Sequence, residues 1–156
     1  MAYIMGKKPA GCLLCSKWQR PAQDDRENYI LYRGEHCYIM LNLYPYTNGH
    51  LMVAPYVHEA CIERLDDETL HQLMAFTRAG TAALRKAMSP DGFNMGINEG
   101  KVAGAGVADH IHMHVVPRWE GDTNFLSVLA EVRLVPETLD ATYERLLPAL
   151  EEALSR

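Results

Sequence analysis

The sequence predicts an α+β fold: an antiparallel sheet of about five strands, one long central helix and a C-terminal helix. Three observations lead there. Five short runs rich in β-branched and aromatic residues are separated by turn residues, a long stretch from Asp66 to Met88 repeats its apolar residues at three- and four-residue steps, and a second such stretch follows Pro136.

Taken in order, "SKWQRPAQDDRENY" (16–29) is polar and reads as the connector between an N-terminal cysteine segment and the first strand. "YILYR" and "CYIMLN" read as two strands joined at Gly34, where a short turn uses glycine for its positive φ. "NLYPYTNGH" is rich in turn residues, and "HLMVAP" is a third strand closed by Pro55. Leu70, Leu73, Met74, Thr77, Thr81, Leu84 and Met88 then form the stripe of a helix packed on a sheet, with Asp66 as its N-cap and Ser89-Pro90 ending it. Gly80 inside that helix costs about 1 kcal/mol relative to alanine and suits a close approach to the sheet. "FNMGIN" and "HIHMHVVP" are two further strands, separated by the glycine-rich "EGKVAGAGVAD". The last helix carries Leu139, Tyr143, Leu146, Leu147, Leu150 and Leu154, and Pro148 predicts a kink or a restart within it. The chain reads as one domain, 1–156, with a Cys-x-x-Cys segment (1–28) at one end and a helical segment (126–156) at the other.

Composition narrows the function. A formal charge of −5, with 15 basic and 20 acidic side chains and no basic run, excludes a broad nucleic-acid or anionic-membrane footprint. A small phosphorylated substrate stays possible, since a local site can be positive on a negative protein. "MAYIMGKKPAG" holds no long apolar segment, so neither a signal peptide nor a membrane span is expected, and a cytoplasmic location follows. Of four cysteines, Cys37 and Cys61 read as buried thiols. Cys12 and Cys15 form a C-x-x-C pair in a polar loop, a spacing that suits a redox pair, half of a metal site, or neither.

The chemistry concentrates in "ADHIHMHVVPRW" (108–119). Side chains alternate across a strand, so His110, His112 and His114 share one face, about 6.5–7 Å apart, while Ile111, Met113 and Val115 share the apolar other. Three alternating imidazoles line a cleft better than they decorate a solvated sheet. Two uses compete: ligation of a catalytic metal, or attack of one neutral imidazole on phosphorus while its neighbours position it and the leaving group.

"HIHMHVVPRW" resembles the His-Φ-His-Φ-His-Φ-Φ signature (Φ apolar) of the histidine triad family of nucleotide hydrolases and transferases. "LNLYPYTNGHLMVAP" is similar to the family's preceding segment, and the likeness spans residues 12–125. "VAGAGVADH" and "RWEGDTNF" look most like the bacterial branch acting on diadenosine tetraphosphate, related to its phosphorylases. The resemblance implies that His112 is the nucleophile, attacking the α-phosphorus of an adenosine polyphosphate to give an AMP–histidine intermediate. His114 would contact the bridging oxygen, His50 would support the triad, Asn42 would hold the ribose and Asn98 the α-phosphate. Met40 and Met52 are candidates for the base pocket or for ordinary core packing. Gly100, Gly104 and Gly106 would turn backbone N–H groups toward phosphate, and Trp119 with the loop after it would help shape the pocket.

The resemblance also implies a structural Zn²⁺ on Cys12, Cys15, His58 and His110, no organic cofactor, and a homodimer. Departures from the family pattern leave the acceptor open between water and phosphate. This loop reads "AGAG" where the eukaryotic hydrolases carry glutamine, and Ala105 and Gly106 offer no hydroxyl where phosphorylases carry serine. A purine nucleoside phosphoramidase and a metal-dependent hydrolase using all three histidines remain alternatives.

Overall fold

The computed structural model describes residues 11–122 and 137–155. Five antiparallel strands form one sheet in the order β1-β2-β3-β5-β4, with β1 Ile30–Arg33, β2 Cys37–Leu41, β3 Leu51–Pro55, β4 Gly92–Ile97 and β5 Met113–Arg118. The α+β expectation holds.

Alternation along β2 and β3 divides their side chains between two cores. Ile39, Leu41, Leu51 and Val53 join Val115 of β5 beneath the long helix α3 (Asp67–Met88), through Leu73, Phe76, Ala83 and Leu84. The C-terminal helix α4 (Leu139–Leu154) closes the same core with Tyr143, Leu146 and Leu150. Tyr38, Met40, Met52 and Ala54 point the other way, against Leu14 of the short helix α1 (Leu13–Trp18). Both faces of β2 and β3 are therefore covered, and every residue in them is buried.

Helix α3 begins as its sequence indicates: the Asp66 carboxylate accepts the Thr69 N–H at 2.7 Å, and the chain leaves through Ser89 in the left-handed region, φ 48°. Gly80 faces β3 closely enough that an added Cβ would lie 3.1 Å from Leu51 Cδ1. Among the described residues, no helix is long and apolar enough to cross a membrane.

Several local expectations are corrected. Gly34 does not take a positive φ; glycine is required because a Cβ there would lie 2.4 Å from Phe76 Cζ. The cysteine pair is not in a loop: Cys12 caps α1 and Cys15 lies in its first turn, so the two sulfurs face the same way. The connector after it folds into a 3₁₀ turn, Ala22–Asp24, and a helical turn α2, Asp25–Asn28. Arg33 anchors it, holding Asp25 at 2.7 Å and the carbonyls of Trp18 and Arg20.

Pro148 does not restart α4, which runs unbroken from Leu139 to Leu154, and it lies on the exposed side of the helix. Cys61 is only half-buried, ahead of a 3₁₀ turn at Ile62–Arg64. Finally, β5 begins at Met113, so His110 and His112 precede the ladder. Its last rung with β3 is Val53↔Met113. Beyond it Pro55 has no N–H to offer, and the Ile111 N–H bonds the Glu59 carbonyl at 2.6 Å instead.

Candidate active site

On the face away from α3, one row of the sheet runs Met40, Met52, His114, Gly96 in register. His50 precedes β3, and His110 and His112 extend from the start of β5; all three are buried. Their hydrogen bonds dictate which nitrogen carries each proton.

A carbonyl only accepts, so the 2.8 Å contact between His112 Nδ1 and the His110 carbonyl fixes the hydrogen on Nδ1. The Nε2 lone pair of His112 is left bare. Burial holds this imidazole below its ordinary pKa, and therefore neutral. His50 Nδ1 accepts the Tyr46 backbone N–H at 3.2 Å, so its hydrogen is on Nε2, which donates to His114 Nδ1 at 2.9 Å. His114 must then carry its own hydrogen on Nε2. Burial, with His112 beside it, pulls His114 down to about 4. The pair presents one bare nitrogen and one neutral N–H donor from rings whose centroids lie 4.7 Å apart. That is what an in-line displacement at phosphorus needs: a nucleophile, and a donor where charge develops.

The other predicted residues fall around this pair to different degrees. Asn42 places its amide nitrogen 3.3 Å from His50 Nδ1 and accepts the Tyr44 N–H at 2.9 Å, which fixes it beside the histidines. Met40 and Met52 lie in the same row as His114 but are 1% and 6% exposed, packed in the core with Leu14 and Tyr38. Asn98 follows Ile97, the residue paired with Met113, which puts it across from His112. The glycine loop is held down by Val107 against the second core. Gly104 contributes a positive φ of 88°, but its N–H bonds the Lys101 carbonyl at 3.1 Å and is not offered outward. Trp119 lies beyond the opposite end of β5 from His112, its N–H on Asp122. The end of the loop after it, 123–125, falls outside the described residues.

His110 belongs to a different cluster. Its Nε2–H donates to the Pro55 carbonyl at 2.9 Å, turning Nδ1 toward Cys12 Sγ at 3.3 Å and Cys15 Sγ at 3.4 Å. His58 Nδ1 lies 3.4 Å from Cys15 Sγ. The four ligand atoms all lie within 4.8 Å of one another. Zn–S bonds of about 2.3 Å and Zn–N bonds of about 2.0 Å set tetrahedral S···N separations near 3.5 Å, so two thiols and two imidazoles so arranged fit such an ion.

Three observations suit that use. Asp109 sits 3.9 Å from His58 Nε2, on the side that keeps Nδ1 turned inward. The buried Trp18 indole N–H, without a hydrogen-bond partner of normal geometry, is close enough to Cys15 to favour its thiolate. With no cation, burial and the adjacent Cys12 push the Cys15 thiol up to about 11, a penalty that a divalent ion reverses. Among the described residues no such ligand group includes His50, His112 or His114.

Sequence reasoning passed over Tyr46, whose backbone orients His50 and whose ring lies 4.7 Å from it. It also passed over Asp109, although a carboxylate next to a candidate metal ligand was a readable signal.

The chain is similar to several known proteins. Over 122 residues, 78% of the chain, it is 43% identical to a protein named AP-4-A phosphorylase from Mycobacterium tuberculosis, and it spans 63% of that relative's length. It is 29% identical, over 70% of its length, to an adenosine 5′-monophosphoramidase of Saccharomyces cerevisiae, of which it covers 63%. Its fold matches a Zn-bound histidine triad family protein from Mycobacterium smegmatis with a TM-score of 0.72 and 30% identity, over 93% of this chain and 96% of that one. The family model described as the HIT domain matches residues 23–121, and the chain belongs to the HIT (histidine triad) family.

Proposed function

We propose that this protein cleaves dinucleoside polyphosphates, diadenosine tetraphosphate among them, at the α-phosphate through a covalent AMP intermediate on His112. The observation that carries the reading is the hydrogen bond from His112 Nδ1 to the His110 carbonyl, which leaves Nε2 as a bare nucleophile on a ring outside the Cys12–Cys15–His58–His110 cluster. His112 Nε2 attacks the α-phosphorus, an N–P bond forms, and the P–O bond to the departing nucleotide breaks with its electrons going to that oxygen. The His114 Nε2–H donates to this oxygen as its charge grows. The cation left on the His112 ring is spread through Nδ1–H onto the His110 carbonyl. A second displacement, by phosphate or water, frees the nucleotide and restores the neutral ring. Asn42 holds the ribose, and Asn98 and the loop around Gly106 hold the α-phosphate.

Cys12, Cys15, His58 and His110 hold a structural Zn²⁺. Bound there, it supplies no reaction step; it ties α1 to the segment ahead of β5 and so fixes the His110 carbonyl under His112. The working protein is a homodimer joined along β4. Among the described residues this strand is the edge of the sheet, and its exposed Met95 lines, with Met74 and Thr81, a groove along α3. A phosphoramidase is the second reading, favoured by the similarity to the yeast monophosphoramidase: an amine then leaves past His114 in place of a phosphate.

The test is to incubate wild type and His112→Ala with α-labelled diadenosine tetraphosphate, with and without phosphate, following protein-bound label and products. Wild type acquires label, and gives ADP plus ATP if phosphate is the acceptor, or AMP plus ATP if water is. His112→Ala loses the label and at least about a thousandfold in rate. Undiminished turnover in His112→Ala overturns the reading.

A further inference from the structure

The ladder between β3 and β5 ends at the pair Leu51↔Val115. Continued by two residues, that register would set Gly49 opposite Pro117. Gly49 instead turns the chain at φ 77°, and proline has no N–H to donate, so no rung forms there. A Cβ on Gly49 would still lie 3.4 Å from Pro117 Cγ, so the two segments stay close. Pro117 is buried, and a buried carbonyl needs a donor. The Thr47 hydroxyl supplies it at 2.8 Å.

Thr47 also sits between two contacts that hold His50. The N–H of the residue before it, Tyr46, donates to His50 Nδ1 at 3.2 Å, and the Thr47 carbonyl accepts the His50 N–H at 3.3 Å. His50 Nε2–H then donates to His114 Nδ1 at 2.9 Å. His114 and Pro117 stand on the same strand, β5. The four residues therefore close a ring: Pro117 to Thr47, Thr47 to His50, His50 to His114, and back along β5 to Pro117. The Thr47 hydroxyl ties the loop that orients His50 to the strand that carries His114.

We propose that Thr47 is a positioning residue for the reaction: by anchoring the loop to Pro117 it keeps the His50 N–H on His114 Nδ1, and so keeps the His114 hydrogen on Nε2. This rests on the reading that His112 attacks the α-phosphorus and that the His114 Nε2–H meets the departing oxygen. With the anchor gone, His50 withdraws from His114 in part of the population. There the His114 hydrogen moves to Nδ1, and the site holds two bare nitrogens and no donor.

Two esters of AMP isolate the effect. Phenol is a poor leaving group and p-nitrophenol a good one, so the phenyl ester depends far more on a donor at the departing oxygen. Release of the phenol is followed in a single turnover, so that only the displacement by His112 is read. Thr47→Val lowers this rate about tenfold for the phenyl ester, as the donor tautomer falls to about a tenth of the population, and less than about twofold for the p-nitrophenyl ester. Thr47→Ala behaves in the same way, and Thr47→Ser, which keeps the hydroxyl, restores the phenyl ester. The p-nitrophenyl ester is also the folding control. A second readout is independent of turnover: nitrogen NMR of the His114 ring finds the hydrogen on Nε2 in wild type and Thr47→Ser, and partly on Nδ1 in Thr47→Val. An equal fall for both esters, no fall for either, or an unchanged His114 tautomer overturns the assignment. Covalent labelling of His112 by the p-nitrophenyl ester separates the two levels. A wild type that never labels removes the functional reading and the role of Thr47 with it. A wild type that labels, while Thr47→Val treats both esters alike, removes the role of Thr47 alone.

Discussion

His114 illustrates how a single residue's surroundings decide what it can do. Held near 4 by burial beside His112, with the His50 N–H on its Nδ1, it is a neutral donor throughout the neutral range. The same shift links it to stability. In the unfolded chain this imidazole takes up a proton below about 6.5, whereas in the folded chain it does not until about 4. The unfolded state therefore binds more protons in that window, so the contribution is complete above pH 6.5 and is lost on acidification, by about 3 kcal/mol at pH 4. Carboxylates held low by their partners, such as Asp66 on Thr69 and Asp140 on Arg26, lose their contributions further down the pH scale. Urea unfolding at about pH 7 and about pH 4.5 checks this. Wild type loses more stability across that interval than His114→Asn does, and equal losses would show that His114 is not buried neutral.

At this scale the sequence was informative about identity and silent about protonation. The alternating pattern singled out His110, His112 and His114, but nothing in it separates the ring that faces two thiols from the ring that faces a carbonyl. That division depends on Pro55 and Cys12, 55 and 98 positions from His110 along the chain.

Among the elements, glycines separate two physical reasons for the same residue. At Gly34 a methyl group would enter the Phe76 ring, which is packed between β1 and α3, so Gly34→Ala costs about 1–3 kcal/mol. At Gly80 the nearest atom is the far end of Leu51, and the gain in helix propensity of about 1 kcal/mol offsets the tighter contact, so Gly80→Ala stays close to neutral. Paired thermal melts decide it, and a neutral Gly34→Ala would contradict the close approach. Strands and the long helix were legible because period and caps are local: Asp66 and Ser89 bound α3 as their chemistry indicates. The turn at Gly34 and the start of β5 were misread because each depends on a distant partner, Phe76 in one case and Glu59 in the other. The cysteine segment was misread because a six-residue helix, fewer than two turns, is too short to show periodicity.

At the level of the whole molecule, the sheet separates support from chemistry. The α3 and α4 core builds one face, while the other face brings together a cluster around His110 that could hold a metal ion and the bare nitrogen of His112 two residues on. Between them, the His110 carbonyl serves both: its own ring faces the thiols, and its backbone oxygen sets the His112 tautomer. This account requires two successive displacements at phosphorus, and each inverts configuration. Diadenosine tetraphosphate made chiral at an α-phosphorothioate, turned over to a product that reports the configuration at that phosphorus, measures the number of displacements directly. Net retention is the result predicted by attack from His112. Net inversion would mean that the acceptor reaches phosphorus in a single step, and would contradict the covalent role of this imidazole.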